Sequence, residues 1–557
     1  MLEARFPKGR YRVGSVVKQT LFEVPSTPMT GILRAVLSMS ALNALSRATG
    51  YLRAMVMAAV LGTGVVANAY GVSNGIANLI YELFLGGILY SAFVPLLIER
   101  ITKHGEEDAR HLTNAILTLV LPLLAAVAVL GIIFAEPLVD LMTRFQPSTG
   151  LSEEGAQLSL EEAQRAAELS VFFFRFFVVY IVFFGLLSVL TGVLNAHRRF
   201  FLPAFTPVLN NLITMALFLG YALFAPGNPE AALYLLAATT LSVALMALVL
   251  VPSAWRLGYR PRPVFGHPAL LPAARLALPV LVFTAGSLGV QYVGGTLLAS
   301  SFAAVPQLYF AFTVFSLPYG IFVVAIETAT MPELSERYAN GDEEGYRDTL
   351  SFGLRTMAFI IVPSSVALVA LATPIVGLLY ERGEFGPEDT RLVASILAAY
   401  SVGLLAYAAY FLLVRAFYSR RNTKMPALLN ICLFGLYAPA AYALSGVFGV
   451  VGIALALSAV NAVFAALALA TMRREIGAVG GRRLLRSLVR ISMAGAAMYA
   501  VIWAGTALLG TGSDFLERTV ILVVVGGASL AAYLGAAYAL GAEEMKSVVA
   551  LLRRRVT

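Results

Sequence analysis

The chain has 557 residues, of which 59% are hydrophobic and 13% charged, whereas soluble domains carry roughly 25% charged residues. Too little polar surface is available to solvate several soluble domains, so the bilayer is the expected solvent for most of the chain. The net charge of +9 would point to nucleic acid in a soluble protein; in a membrane protein it marks loops on one side, and no nucleic-acid partner is expected.

Residues 1–31 read as a basic cytoplasmic tail, with Arg5, Lys8, Arg10, Arg12 and Lys18. They do not read as a secretory signal, because the first apolar run starts only near Ile32 and is too long for a cleaved segment. Apolar runs able to cross a hydrocarbon core of about 30 Å then follow at 33–60, 67–97, 112–135, 168–195, 202–225, 230–254, 273–302, 305–331, 350–378, 391–417, 425–445, 447–472, 487–510 and 518–541. The reading is an all-α integral membrane protein of about fourteen transmembrane helices, with few strands or soluble domains between them.

The loops test this reading. Assigning them to alternate sides puts 30 Lys and Arg on one side and five on the other, namely Arg144, Arg165, Arg382, Arg391 and Arg518. The positive-inside rule makes the first side cytoplasmic, with both termini on it. The far side carries the acidic clusters Glu153, Glu154, Glu161, Glu162 and Glu384, Glu388, Asp389.

A weak internal repeat divides the chain. Pro95-Leu-Leu-Ile-Glu99-Arg100 with Gly105 and Arg110 echoes Pro332-Glu-Leu-Ser-Glu336-Arg337 with Gly341 and Arg347. His197-Arg198-Arg199 before Pro203 echoes Ser419-Arg420-Arg421 before Pro426. The expected organisation is a six-helix lobe over 32–256, a second over 257–474 in the same orientation, and two extra helices plus a cytoplasmic tail over 475–557. Duplicated bundles with a site at their interface are a common transporter plan.

Charges inside apolar runs cost around 2.5–3.5 kcal/mol on insertion scales and so need a reason. The first span carries Ser46, Arg47 and Arg53; the second carries Asn68, Asn74, Asn78 and Glu82; the fourth carries Arg175 and the eighth Glu327. Arg415, near the end of the tenth, can snorkel. Arg47 and Arg53 are about 9 Å apart along a helix, a spacing that suits an elongated anion such as a diphosphate. The structural alternative is a buried network in which Glu82 pairs one arginine. Glu327 reads either as a proton or cation site or as an arginine's buried partner.

Other features carry less. Gly62-Thr-Gly64-Val-Val-Ala67 has dinucleotide-loop spacing but lies between membrane helices rather than after a strand, so that reading is rejected. Gly527, Ala531 and Gly535 form a small-residue stripe expected to pack helices. Asn430 and Asn461 are weak cation ligands that more often bridge helices. The phenylalanines of 172–177 read as lipid-facing or core. Cys432 is the lone cysteine, so no internal disulfide can form, and His104, His111, His197 and His267 show no metal-ligand spacing. No nucleophile–base pair stands out, and neither enzymatic activity nor a cofactor is expected.

Three blocks carry a family resemblance. Leu45-Ser46-Arg47-Ala-Thr-Gly50-Tyr-Leu-Arg53, Gly62-Thr-Gly64, Ala67-Asn68-Ala69-Tyr70, Ala77-Asn78-Leu79 and Ala92-Phe93-Val94-Pro95-Leu96 form the first. Ala299-Ser300-Ser301-Phe302, Tyr309-Phe310-Ala311, Pro318-Tyr-Gly320 and Pro332 form the second; Ala399-Tyr400-Ser401-Val402-Gly403-Leu404, Phe417-Tyr418-Ser419-Arg420 and Pro426 form the third. Together they resemble the MurJ/MviN family of lipid II flippases, in the multidrug/oligosaccharidyl-lipid/polysaccharide exporter superfamily. The resemblance implies fourteen helices in two rocking lobes around a cationic cavity, with a tail groove formed by the last two helices. It implies transport of the undecaprenyl-diphosphate-linked cell-wall precursor to the outer leaflet, in a bacterial plasma membrane, with cell-wall synthesis proteins as possible partners. It also implies head-group contact at Arg47 and Arg53.

The chain departs from the family pattern at Asn68, Tyr81, Glu82, Gly86 and Thr313, where many members carry charged residues; Arg175 and Glu327 are candidate compensating charges. Membrane potential or a monovalent cation gradient is the candidate energy source. The competing readings are an exporter of another lipid-linked oligosaccharide or a drug, and a transport-inactive scaffold for cell-wall synthesis.

Overall fold

A computed structural model describes residues 28–83, 93–143, 159–512 and 514–545. Most of the basic tail, Gly86, Arg144, Glu153 and Glu154 lie outside the described residues. Those described form helices and turns, with no strand among them.

Ten described helices are long and apolar enough to cross a membrane, and an eleventh counts if Pro387–Val402 and Leu404–Ser419, bent by 47° at their junction, form one span. This is fewer than the fourteen expected, and the difference has identifiable sources. The first helix, Pro28–Leu61, carries Arg34, Arg47 and Arg53. The second, Val65–Tyr81, has 17 residues and runs towards residues outside the described set. The element Lys424–Ile476 has 53 residues but is broken at Gly449, with φ 58° and ψ −143°. A Cβ at Gly452 would lie 2.1 Å from the Leu444 carbonyl oxygen. Eight residues of straight helix span about 12 Å, so the chain folds back on itself here, in a backbone conformation that glycine supplies.

One apolar core runs through both halves of the chain. A second packs the last two helices, Gly481–Leu509 and Phe515–Ala539, against Glu343–Ala370 through Phe359, Met498, Ile521, Val525 and Tyr533. The inward stripe of the last helix is Val525, Ser529, Tyr533 and Ala537. The expected packing stripe of Gly527, Ala531 and Gly535 faces outward instead: all three are exposed, and a Cβ on either glycine would meet nothing within 4 Å. Larger side chains two residues away win the interface because they bury more apolar surface. The 172–177 phenylalanines are mainly core: Phe173 and Phe177 pack edge-on against Tyr70 at 5.9 and 5.2 Å, while Phe176 is partly exposed.

Polar loop contacts join segments that the charge pattern assigns to the same side. His197 meets Glu106, Arg420 meets Glu343 and Glu475, and Arg355 meets Glu543 and Glu544 at one end of the bundle. Arg518 meets Glu381 at the other.

The segment joining the two halves, residues 257–269, is laced to helix Val94–Ile133. Arg262 N–H donates to Asn114 Oδ1, and Val264 N–H donates to Thr118 Oγ1 at 3.0 Å. The His267 ring, 1% exposed, accepts from Ala269 N–H at Nδ1 (3.1 Å), so Nε2 carries the proton towards Asp108 Oδ1 (3.3 Å). Burial pulls its pKa below the ordinary histidine value; contact with Asp108 opposes this, and nearby Arg100 and His111 reinforce it. The unfolded chain therefore takes up a proton below about pH 6.5 that the folded chain resists. Stability is lost as pH falls below that value. Melting temperature is expected to drop between about pH 7 and 5.5 by more in the parent than in His267→Gln; equal slopes would refute the assignment.

Candidate functional site

A cavity of about 420 Å³ lies between the two halves. The first helix contributes Arg53; the second contributes Asn74 and Asn78, four residues apart on one face, with Asn78 Nδ2 donating to Asn74 Oδ1 at 2.8 Å. The opposite wall comes from the π-helical turn Val293–Leu298 and from helices Leu270–Tyr292, Val305–Pro318, Leu404–Ser419 and Lys424–Ile476. Turns of this kind recur at functional sites. This one holds Gly294, where a Cβ would lie 2.0 Å from the Tyr437 hydroxyl. Six tyrosines border the cavity: Tyr70, Tyr309, Tyr400, Tyr407, Tyr410 and Tyr437. Arg53 is the only charged residue among the described lining residues. Its Nη2 donates to the Tyr309 hydroxyl at 3.3 Å, crossing from one half to the other.

One end of the cavity is shut by contacts between the halves. The end of the first helix and the turn after it meet residues 381–389: Glu384 N–H donates to the Ala59 carbonyl at 3.0 Å, and the Thr63 hydroxyl donates to Asp389. Gly62 and Gly383 both have positive φ, 56° and 61°. A Cβ on them would lie 2.6 Å from Glu384 O and 2.2 Å from Ala59 O respectively. Asn68, buried nearby, accepts from Val305 N–H at 3.1 Å and donates to the Thr63 and Gly64 carbonyls. Glu381 of the same loop is held by Arg518 (2.8 Å) and Thr390 (2.6 Å).

Comparison with known proteins gives a consistent picture. A sequence model of the family described as lipid II flippase MurJ matches residues 57–520. The chain belongs to the MurJ family. A lipid II flippase MurJ of Burkholderia cenocepacia is 30% identical over 409 residues, covering 72% of this chain and 76% of that one. A probable lipid II flippase MurJ of Rhizobium meliloti is 28% identical over 526 residues, covering 91% and 94%. In fold, the chain is similar to a lipid II flippase MurJ in an inward closed conformation, with TM-score 0.72 and 20% identity over 92% of this chain and 99% of that one. An inward-facing multidrug-resistance MATE transporter of the MOP superfamily follows at TM-score 0.57 and 17% identity, over 80% and 98%. The chain is thus an all-helical, multi-pass membrane protein of the MurJ family.

Against the MurJ-like expectations, the structure separates the two arginines. Arg53 lines the cavity; Arg47 does not. Arg47 lies over the backbone of Gly320, where a Cβ would sit 2.1 Å from its Nη1. Neither forms a salt bridge among the described residues, and Glu82, half-buried and off the cavity, pairs with no arginine there. Ser46 contributes through its carbonyl, which accepts from Asn211 Nδ2 at 3.2 Å; this is a helix contact off the cavity. Asn68 closes the shut end rather than facing the cavity.

Arg175 is exposed in the last turn of helix Leu160–Phe177 and lines no cavity, so it does not compensate there. Glu327 also stands apart. It is 4% exposed, 3.6 Å from Arg415 Nε, and accepts from the Tyr319 hydroxyl at 3.4 Å, beside a separate concavity. Asn430 borders the cavity but bridges helices, donating to Phe283 O and Ser287 Oγ (2.7 Å). Asn461 donates to Leu457 O of its own helix. Tyr81 stacks on Phe184 at 4.3 Å within the first half, and Thr313 donates to Tyr309 O.

Sequence reasoning missed the tyrosines, Gln291 and the 381–389 latch. The tyrosines carried a usable signal, since a hydroxyl in an apolar run needs a partner or water. The latch carried none, because its partners lie over 300 residues apart in the chain.

Proposed function

We propose that this chain carries lipid II, the undecaprenyl-diphosphate-linked cell-wall precursor, from the inner to the outer leaflet by alternating access without hydrolysing it. The supporting observation is a cavity between two halves, shut at one end by hydrogen bonds between them and carrying one guanidinium. A sugar–peptide diphosphate cannot cross hydrocarbon unaided, because burying unpaired charge is prohibitive; a polar chamber opened to each side in turn removes that barrier. The basic loops orient the chain with both termini in the cytoplasm of a bacterial cell. The shut end then faces outward. The rocking units are 32–256 and 257–474, with 475–557 appended. Membrane potential or a monovalent cation gradient drives the cycle; one charge moved through 100 mV is worth about 2.3 kcal/mol. Expression of the chain in a strain depleted of its own lipid II flippase is expected to restore growth. No rescue despite normal amounts in the membrane would overturn the reading.

A further inference from the structure

The cavity wall contributed by the second half is built for more than a diphosphate. Tyr309 and Phe312 are each 38% exposed and border the cavity. Beside them, Tyr407 and Phe411 are half-buried, with ring centroids 4.9 Å apart. Gln291 on the same wall is exposed, and its amide has no hydrogen-bond partner among the described residues. Opposite stand Asn74 and Asn78, whose mutual hydrogen bond leaves one amide N–H₂ and one carbonyl with spare capacity.

A bare diphosphate needs cations, and an apolar cargo needs only rings. Aromatic faces set beside uncommitted amides match a third chemistry, that of a sugar ring. A pyranose has apolar C–H faces, which an aromatic ring covers, and an equator of hydroxyl and acetamide groups, which amides bind. A single guanidinium offers one bidentate grip on phosphate and cannot tell a glycosylated lipid from its bare carrier.

We propose that Phe312, Tyr407, Phe411 and Gln291 bind the sugar rings attached to the diphosphate and so select glycosylated over bare polyprenyl diphosphate. The proposal rests on the lipid-flippase reading and assigns the neutral wall its role. Arg53 holds the phosphate and the second-half wall reads the sugar.

The test uses the purified full chain with two probes: undecaprenyl diphosphate, and the same lipid carrying its disaccharide without peptide. The wild type is expected to prefer the sugar-bearing lipid by about tenfold, equivalent to 1.4 kcal/mol. Gln291→Ala and Phe312→Ala are expected to shrink that preference to about threefold or less while leaving affinity for the bare lipid unchanged. Arg53→Ala is expected to weaken both lipids alike. Gln291→Ala removes an exposed side chain with no hydrogen-bond partner among the described residues, so a folding defect in Phe312→Ala leaves the test intact. An undiminished preference in Gln291→Ala, or equal binding of both lipids by the wild type, would overturn the proposal. Binding of neither lipid by folded wild type would overturn the flippase reading as well, which keeps the two failures distinct.

Discussion

Arg53→Ala is expected to reduce lipid transport about a hundredfold and to abolish rescue of a flippase-depleted strain, with unchanged amounts of protein in the membrane. The magnitude follows from charge-assisted hydrogen bonds worth about 1.5–3 kcal/mol each. Loss of a bidentate pair costs about 3 kcal/mol, at 1.4 kcal/mol per factor of ten. No other charged side chain among the described lining residues can substitute. Arg53→Lys keeps the charge and loses the planar fork, so an intermediate defect of about tenfold is expected. Arg47→Ala is expected to be milder than Arg53→Ala, because Arg47 rests over Gly320 outside the cavity. The measurement is the amount of precursor reaching an externally added lipid II-binding probe. Severe loss in Arg47→Ala with near-normal Arg53→Ala would reverse the assignment.

Gly383→Ala is expected to hold the shut end open. The added methyl would lie 2.2 Å from the Ala59 carbonyl oxygen, the group that accepts the Glu384 N–H in the shut state. The clash arises only when the two halves meet, so it acts differentially on the two conformations, as any shift of equilibrium requires. Overpacking costs about 1–3 kcal/mol, and the lost hydrogen bond about 1 kcal/mol. Together they favour the open end by about 3 kcal/mol, roughly a hundredfold. The single cysteine, Cys432, allows a clean readout: Asn78→Cys in a Cys432→Ala background reports access to the cavity. A membrane-impermeant maleimide added outside cells is expected to label Asn78→Cys much faster when Gly383→Ala is also present. Equal labelling rates would show that residues 59–63 and 383–389 do not form the gate. Gly62→Ala, with its Cβ 2.6 Å from Glu384 O, is expected to act in the same direction.

The departures of this chain from its family's charge pattern become intelligible through these contacts. Asn68 stands where many members carry an acid; as a neutral amide it accepts one backbone N–H and donates to two carbonyls at the shut end. A carboxylate could not donate to those carbonyls. Glu327 is matched by Arg415 within the second half, so it needs no cavity arginine as its partner. Nothing in the structure explains why Arg175 is charged.

The membrane class, the approximate positions of most spans and the family were all legible in the sequence. Each depends on local composition or on short linear motifs, which survive without knowledge of packing. Arg53 stood out in the sequence too, because a guanidinium in an apolar run is costly enough to announce itself, and the structure places it on the cavity wall. Tertiary structure alone decided that Arg47 and Arg53 part company. It also decided that Glu82 pairs with neither arginine, that Arg175 faces outward, and that Gly527 and Gly535 leave the helix interface. The face a helix presents is set by the bulk of its neighbours and by bends such as those at Gly403 and Gly449, not by the identity of a single residue. The same holds for the shut end and the aromatic wall. Their partners lie in opposite halves of the chain, and only folding brings a carbonyl at 59 to an amide at 384.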